Sequence, residues 1–448
     1  MGESEHEALR RGLARAMARA GYAGPAQLQR LTGGATMESW RFDADGEAFV
    51  LRRAPSPAFM AERPFGHDSE AAIIRAAHAS GVRAPKIVVE LESADGIGSG
   101  FVMRALPGTP DPRQILEMAD PAALLADAAS DLARIHAIPA AALPGDVPTL
   151  DAADGVARLR EQFEEAGGDR PIVALGLAWL ADNLPDPIPP VLNHGDFRLG
   201  NLLAQDSRLT GVLDWELAHF GDAHEDLAFG CMAVWRFSRV DRPALGLGSL
   251  QAYVDAYEAA GGARVDPARF RFWLVYRTVW WALGCLRNAR MWRLGEDRML
   301  ERVVISRRTS EQELDLLLLL EEDAPEAEQA RALPPSDSQP PAHGEADAGE
   351  IAEAVREWLA TIKHRMEGHD RFQLAVARNA LGMIARGARA QIQAEDALLA
   401  QDILDAEATL AKPGLLAMLR RGALDKLRAD VPSYPMLALA EAKWRGER

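Results

Sequence analysis

The sequence NHGDFRLGN at residues 193–201, followed by VLDWE at 212–216, largely decides how this chain folds and what it does. Asn201 comes five residues after Asp196, and Asp214 lies beyond a short hydrophobic stretch. Two aspartates and one asparagine could form an ordinary polar loop, because Asn and Asp readily hydrogen-bond to nearby backbone in turns. The same residues at fixed separation could also supply a general base and two metal ligands. The rest of the chain has to decide between these interpretations.

The composition is that of a globular protein with room for more than one domain. The chain has 448 residues, of which 48% are hydrophobic and 26% charged. Its net charge of -16 argues against a general nucleic-acid-binding surface, because phosphate backbones need clustered Lys and Arg. Two cysteines are too few for a disulfide framework, which predicts a cytoplasmic protein. The longest apolar run, LLLLL, is far shorter than the roughly 20 residues that span a bilayer, so we expect no membrane segment.

Changes in composition divide the chain into four parts. Residues 1–108 contain a hairpin pattern, WRFD-DADG-EAFVLRR, then a helix at 69–80 and two more strands, which predicts a β-rich lobe. Residues 109–321 are mostly helical, interrupted by two predicted strands, NLLAQ and GVLDW, on either side of DSRLT. Residues 322–349 gather Pro, Glu, Ala and Ser, which predicts a linker. Residues 350–448 show the amphipathic helical period and predict a separate all-α domain.

Several of these features together resemble the aminoglycoside phosphotransferase family. They are HGDFRLGN, VLDWE, the Gly-Gly turn at 33–34, LRR at 51–53 and a Glu in the following helix. The likeness is greatest to the kinase-like domains that occur alone in bacteria or fused to acyl-CoA dehydrogenases, and it covers about residues 10–320. It implies an α+β, two-lobed, protein-kinase-like fold with a small nucleotide-binding lobe and a large helical lobe. The C-terminal helices resemble uncharacterised modules attached to such kinases.

The resemblance implies ATP and Mg²⁺ as cofactors and gives each residue of the opening motif a role. Asp196 would orient the acceptor hydroxyl and take its proton. Asn201 and Asp214 would be the metal ligands, since Mg²⁺ prefers oxygen donors and few of them from protein. Arg198 could stabilise negative charge on the transferred phosphate, or could simply pair with a surface acid. His194 is expected to hold the loop backbone.

In the small lobe, Gly33 and Gly34 would lie over the ATP phosphates, where glycine permits close backbone approach. Arg52 occupies the position where the family pattern has a Lys, a departure that replaces a point charge by a planar guanidinium. Glu70 is the candidate partner of Arg52, the alternative being a solvated Glu at a helix N-terminus. Arg53 points to the opposite face of the strand and is expected to be an exposed cation.

Three further expectations complete the sequence-based prediction. The backbone from Arg104 to Leu106, between the lobes, could pair with the adenine edge, although a plain strand end would look the same. Asp222 and Asp226 are expected to cap a helix or secure the catalytic loop. Trp215 and the aromatic residues of VYRTVWWAL are expected in the core.

The acceptor is the least determined part of the prediction. The resemblance implies a hydroxyl on a small metabolite, such as a hydroxyacyl thioester of coenzyme A, whose phosphates would need a basic patch. WRFSRVDRP and RNARMWRLGEDR could supply one, and solvated helix faces explain their arginines equally well. One alternative is an aminoglycoside acceptor. Another is a catalytically weak nucleotide-binding regulator whose C-terminal helices bind a protein partner or form a homodimer.

Overall fold

The structure is a computed structural model, and it describes residues 3–31, 37–55, 60, 63–335, 346, 348–387 and 394–445. Gly33 and Gly34 lie outside these residues, so the expected phosphate loop is not described. In the described ranges, no helix combines the length and the apolar character needed to cross a bilayer.

The predicted hairpin forms the centre of the small lobe. Strands β2 (Glu38–Ala44) and β3 (Glu47–Ala54) pair in antiparallel register. The turn between them is Asp45-Gly46, with φ of 51° and 80°. Positive φ at both central residues is the backbone of the tight hairpin turn that Asp-Gly favours. The Asp-Gly turn predicted from the sequence therefore sets the register between β2 and β3, the strand that carries Arg52.

Three more strands and two helices complete this lobe: β1 (Ala26–Arg30), β4 (Ile87–Glu90), β5 (Ser99–Arg104), α1 (Glu3–Arg19) and α2 (His67–Ala79). The strand order is β1-β2-β3-β5-β4, all antiparallel. Helix α1 packs on the face that contains Val102, and α2 packs on the opposite face, which contains Phe101. Helices thus cover both faces of the sheet, so a strand side chain that the sequence predicts to be exposed can be buried.

The large lobe is helical, and its helices are α3 (Pro112–Leu116), α4 (Pro121–His136), α5 (Ala152–Glu165), α6 (Pro171–Asp182), α7 (Ala223–Phe229), α8 (Leu250–Ala259), α9 (Pro267–Leu294), α10 (Leu300–Ser306), α11 (Thr309–Leu320) and α12 (Glu326–Gln329). Side chains that accept backbone N–H bonds cap α4, α5, α7, α8 and α9: Asp120, Asp151, Asp222, Ser249 and Asp266. The long helix α9 packs against α6, α7, α10 and α11 and forms the middle of the lobe.

Two small antiparallel sheets interrupt the helices and carry the motif residues. Strand β6 (Val191–Asn193) pairs with β9 (His219–Gly221), and β7 (Leu202–Gln205) pairs with β8 (Arg208–Val212). The prediction of GVLDW as a strand was wrong, since β8 begins three residues earlier and ends at Val212. The turn is only Asp206-Ser207, with positive φ at both residues. Asp214 therefore lies on the loop beyond the strand, at φ 67°.

The C-terminal part is helical as expected: α13 (Ala348–Thr361), α14 (Gly368–Gly387), α15 (Ala394–Leu404), α16 (Leu415–Asp430) and α17 (Pro435–Arg445). Helix α15 packs on α6, and α16 and α17 pack on α11. The buried side chains of α15 to α17 belong to the same hydrophobic core as those of the large lobe. The C-terminal part is therefore all-helical, and its helices α15 to α17 pack into the core of the large lobe.

The described portion of the predicted linker, 322–335, is ordered and packed. It includes α12, and Ala324 and Glu328 are buried. Glu328 accepts a hydrogen bond from the amide of Gly414 at 2.7 Å, and its carboxylate pairs with Arg331. The acidic and Pro-rich composition predicted a linker here, whereas Gly414, at the start of α16, fixes Glu328 in place. Residues 336–345 and 347 lie outside the described residues.

Candidate active site

The loop after β6 requires glycine at position 195. Gly195 has φ +82°, and a Cβ built there would lie 2.2 Å from the carbonyl oxygen of Leu217. A backbone atom cannot move aside as the end of a flexible side chain can, so both conformation and space exclude a side chain. His194 and Asp196 flank this glycine in the tight turn.

Asp226 holds this turn from helix α7. Its carboxylate accepts the amides of His194 at 2.5 Å and Gly195 at 2.8 Å, and contacts His136 Nε2 at 3.4 Å. Burial would raise the pKa of Asp226, but these bonds and the neighbouring histidines lower it to about 2. Asp226 is therefore a fixed anion that secures the catalytic loop, while Asp222 caps α7.

His194 is fully buried and links the two parts of the motif. Its Nε2 donates to the carbonyl of Leu213 at 3.0 Å, and its Nδ1 accepts the amide of Asp196 at 3.3 Å. Burial lowers the pKa of His194, which favours the neutral ring that this pair of bonds needs. The ring also packs on Trp215, with centroids 4.7 Å apart. This geometry is that of a residue that holds the loop backbone.

Asp196 is oriented by the two other polar residues of its loop. Arg198 Nε donates to Asp196 Oδ1 at 2.7 Å, and Asn201 Nδ2 donates to Asp196 Oδ2 at 2.6 Å. Burial raises the pKa of Asp196, and the negative charge of Asp214 adds to this, although Arg198 opposes it. A carboxylate with a raised pKa is a stronger base, as acceptance of a hydroxyl proton requires. The partner of Arg198 is thus Asp196 itself, not a surface acid.

Asp214 lies next to this group. The amide of Leu213 donates to the carbonyl of Asn201 at 2.9 Å, which ties the loop of Asp214 to the loop of Asn201. Burial would raise the pKa of Asp214, but the charge of Arg52 and its hydrogen bond, with a smaller contribution from Arg198, lower it. A carboxylate with a lowered pKa, on a loop tied by this backbone bond to an asparagine, offers the hard oxygen donors that Mg²⁺ takes from proteins. The residues present therefore fit the magnesium ion that the fold implies.

Arg52 connects the small lobe to this site. It lies on β3, with Nη2 2.7 Å from Asp214 Oδ1 and Nε 3.1 Å from Glu70 Oε1. The same guanidinium pairs with Glu216. Burial opposes the charge, but the three carboxylates raise the pKa of Arg52. The structure thus brings together Arg52 and Glu70, as the sequence predicts, and adds the two acids of LDWE.

Sequence reasoning missed two members of this cluster. Glu216 pairs with both Arg52 and Arg63, and Arg63 also binds Glu70 at 3.1 Å. Burial and the nearby charge of Asp214 raise the pKa of Glu216. Glu216 could have been found, since a second acid two residues after Asp214 is present in the quoted VLDWE. Arg63 gives no signal in the sequence, because its partners lie on other elements.

The expectation for Arg53 was wrong. Its side chain is buried, with Nε donating to Glu38 at 2.8 Å and Nη1 donating to the carbonyl of Ile97 at 3.0 Å. The strand does direct Arg53 away from Arg52, but helix α1 and the segment around Ile97 cover that face of the sheet. Arg53 therefore forms a buried structural ion pair with Glu38.

Arg104 and Leu106, in the connection between the lobes, differ in their hydrogen bonding. The amide of Arg104 donates to the carbonyl of Lys86 at 2.9 Å, and its guanidinium donates to the Tyr22 hydroxyl at 2.7 Å. Arg104 is therefore engaged within the small lobe. In the described part of the chain, the amide of Leu106 donates no hydrogen bond to another residue. The next residues pair with β7 through Thr109 and Ala204, which fixes the connection to the large lobe.

An aromatic wall adjoins Asp196 on the large lobe. The guanidinium of Arg198 lies 4.3 Å from the ring centroid of Trp235, and Trp235 packs against Trp281 at 5.4 Å. Arg277 lies over the rings of Phe229 and Trp280. Of the predicted basic patch, Arg236 and Arg239 donate to the carbonyls of Cys231 and Leu116, so these two serve the local backbone.

The two lobes, joined by the contact of Arg52 with Asp214, define a protein-kinase-like protein. The phosphotransferase enzyme family matches residues 27–273, more than half of the chain, and the chain belongs to this family. This confirms the family and the fold class that the motifs predict.

Individual proteins are similar to part of this chain. The chain is 28% identical to mouse (Mus musculus) acyl-CoA dehydrogenase family member 10 over 260 residues, which is 52% of this chain and 24% of that protein. It is 29% identical to chicken (Gallus gallus) acyl-CoA dehydrogenase family member 11 over 46% of this chain and 28% of that protein. The matched part is thus about a quarter of these relatives. A crystal structure from Ralstonia eutropha, assigned to the aminoglycoside phosphotransferases, is 21% identical, with a TM-score of 0.56 and coverage of 69% of this chain and 98% of that one.

Proposed function

We propose that the chain is an ATP- and Mg²⁺-dependent phosphotransferase that phosphorylates a hydroxyl group of a small molecule. One observation carries this proposal: Asn201 binds Asp196 through its side chain and the loop of Asp214 through its backbone. A base and two oxygen ligands are then held as one unit. Phosphoryl transfer asks a protein mainly to position its reactants and to stabilise charge, and such a unit can do both.

Asp196 acts on the acceptor. Its raised pKa and its fixed orientation suit a base that accepts the hydroxyl proton as the bond to phosphorus forms. Arg198 and Asn201 donate to opposite oxygens of the carboxylate, so they limit its rotation. Arg198 also places positive charge beside the reacting hydroxyl, where it stabilises the negative charge that develops there.

The nucleotide is held from both lobes. Asn201 Oδ1 and the Asp214 carboxylate are the proposed ligands of Mg²⁺, which, when bound, neutralises phosphate charge. Arg52 would contact the α and β phosphates, with Glu70 fixing its orientation. The amide of Leu106 is the proposed partner of the adenine edge. Gly33 and Gly34 are proposed, on the sequence alone, to cover the phosphates.

The acceptor that we propose is a hydroxyl compound without positive charge, such as a hydroxyacyl thioester of coenzyme A. The identity to acyl-CoA dehydrogenase family members supports this class, although it covers about a quarter of those proteins. The aromatic wall supports it as well, because Arg198 already occupies the face of Trp235, where an ammonium group of an aminoglycoside could otherwise stack.

The test measures binding and turnover separately. Wild type should be stabilised by Mg-ATP in a thermal-shift assay and should release ADP faster when a suitable hydroxyl acceptor is added. Asp196→Asn should keep the nucleotide shift and lose turnover by about 10²-fold or more. The matched control is Asp206→Asn, which changes an exposed aspartate in the β7–β8 turn and should behave as wild type.

The outcomes separate the alternatives. Retained turnover in Asp196→Asn would show that another residue is the base. A nucleotide shift without acceptor-dependent ADP release, over a panel of hydroxyacyl-CoA compounds and aminoglycosides, would favour the nucleotide-binding regulator. No shift with Mg-ATP would contradict the proposal as a whole.

A further inference from the structure

A second pocket lies at the C-terminal end of the chain, away from the residues of the candidate active site. It has a volume of about 470 Å³ and lies between the segment after α12 and helices α16 and α17. The polar residues that line it include Arg331, Arg421, Lys443 and Arg445. No acidic side chain of the described residues lines it. Such a concentration of cations is unexpected in a chain with a net charge of -16.

The nearby carboxylates do not balance these cations. Glu328 pairs with Arg331, and Glu321 is shared by Lys443 and the buried Arg420. Asp425 and Glu441 are shared among Arg421, Arg428 and Arg445. Among the described residues joined by these ion pairs, six cations therefore share four carboxylates, an excess of two positive charges. Neighbouring excess charge in a concave site attracts anions from solution.

Several of the cations are held in place without a ligand. Arg331 makes two bonds to Glu328, at 2.6 and 2.8 Å. Arg421 Nε donates to the carbonyl of Pro334 at 2.9 Å. The buried Trp444 donates to Glu321 at 2.6 Å. With Arg331 and Arg421 fixed in advance, the pocket loses less conformational entropy at these two residues when it binds a ligand.

We propose that this pocket binds a phosphate-bearing small molecule. Three of its cations are arginines, whose planar fork donates two parallel hydrogen bonds to phosphate oxygens. The volume lies within the range of about 300–1,000 Å³ typical of small-molecule sites, so it accepts a larger ligand than phosphate alone. The pocket shares no residue with the candidate active site, and the proposal is independent of the proposed function.

Arg445 offers the sharpest test because little of the fold depends on it. Its side chain is 47% exposed, and its contact with Glu441, four residues before it, is 3.9 Å long. Arg160 is its matched control: it is also 47% exposed and lies 3.8 Å from Glu164, four residues after it. Both substitutions remove one exposed arginine with one weak helical pair, but only Arg445 lines the basic pocket.

The measurement is calorimetric titration of the full chain with pyrophosphate, with citrate as a second anion at the same ionic strength. Wild type and Arg160→Gln should bind pyrophosphate with equal affinity, and Arg445→Gln should bind about tenfold more weakly, as expected for one charged hydrogen-bond donor. Arg331→Gln should weaken binding similarly. Thermal shifts with Mg-ATP should be unchanged in Arg445→Gln.

Three results would overturn the proposal. Wild type could fail to bind pyrophosphate, or Arg445→Gln and Arg160→Gln could lose affinity equally, which would indicate general electrostatic attraction. Citrate could bind as tightly as pyrophosphate, which would exclude a site selective for phosphate. None of these results depends on turnover, so failure here leaves the proposed function untouched.

Discussion

Arg52 Nη2 lies 2.7 Å from Asp214 Oδ1 and so joins strand β3 of the small lobe to the loop after β8, although the two residues are 162 positions apart in the chain. The same guanidinium contacts Glu70 and Glu216. Removal of one partner from such a buried ionic cluster leaves uncompensated charge, which costs more than the pair contributes when intact.

Arg52→Gln should therefore lower the free energy of unfolding by about 3 kcal/mol. It should also raise the KM for ATP, since a cation expected to contact phosphate is lost. Urea unfolding and steady-state kinetics measure the two effects. Arg53→Gln is the control, because Arg53 is the neighbouring buried arginine but pairs with Glu38 on the other face of the sheet. It should lose stability with an unchanged KM. An unchanged KM in both variants would limit Arg52 to a structural role.

Gly195 and Gly81 have nearly the same backbone conformation, with φ of +82° and +80°, in different surroundings. At Gly81 an added Cβ meets no atom within 4 Å, so Gly81→Ala should cost only the left-handed strain of about 1–2 kcal/mol. At Gly195 the Cβ also overlaps the carbonyl of Leu217. Gly195→Ala should cost clearly more, and turnover should fall because Asp196 moves with the loop. Equal unfolding free energies for the two variants would show that the loop adjusts freely.

Asp226 should make the protein sensitive to acid. Its pKa is about 2 in the folded state, below the value of roughly 3.9 in an unfolded chain. A depressed pKa contributes stability that is present above pH 4 and is lost as pH falls towards 2. The lost contribution is on the order of 2–3 kcal/mol. Asp226→Asn should reduce the change in unfolding free energy between pH 4 and pH 2. It should also destabilise the catalytic loop at neutral pH. An unchanged acid slope in the variant would contradict the role given to the Asp226 charge.

The sequence predicts local conformation where the signal itself is local. HGD, the Asn five residues later, and the Asp-Gly hairpin turn each specify a conformation within a few residues. Arg52 and Glu70 could be paired because strand and helix follow each other directly. The end of β8 was misplaced because apolar residues continue through Leu213 and Trp215, while the chain turns at Asp214 with positive φ.

The sequence could not predict which helices and segments would cover a given face of a strand or helix. Arg53 looked exposed until α1 covered its side of the sheet. Residues 322–335 looked like a linker because their partners, Gly414 and Arg420 among them, lie about a hundred residues further on. Helix α11 carries Glu311, Gln312 and Asp315, which are buried beneath α16 and α17, and its own sequence does not indicate that these helices cover it.

Asp315 should give a pH dependence of the opposite sign to that of Asp226. It is buried and accepts the Tyr434 hydroxyl at 2.5 Å, and burial raises its pKa to about 7, with Glu311 adding and Arg236 opposing. A raised pKa means that the folded chain keeps a proton that the unfolded chain releases near pH 4. The contribution of Asp315 to stability is then greatest below pH 4 and falls as pH rises to 7, by an amount on the order of 4 kcal/mol.

Asp315→Asn should remove that decline, because the amide does not ionise, and urea unfolding between pH 4 and 8 measures it. Tyr434→Phe is the informative companion variant. It keeps the carboxyl but removes the hydroxyl that stabilises its charged form, so the decline should persist and extend to higher pH. Asp226→Asn should leave the slope in this range unchanged. A wild-type stability that is flat from pH 4 to 8 would show that Asp315 is ionised in the folded protein, and the interface of α11 with α16 and α17 would then have to accommodate a buried charge.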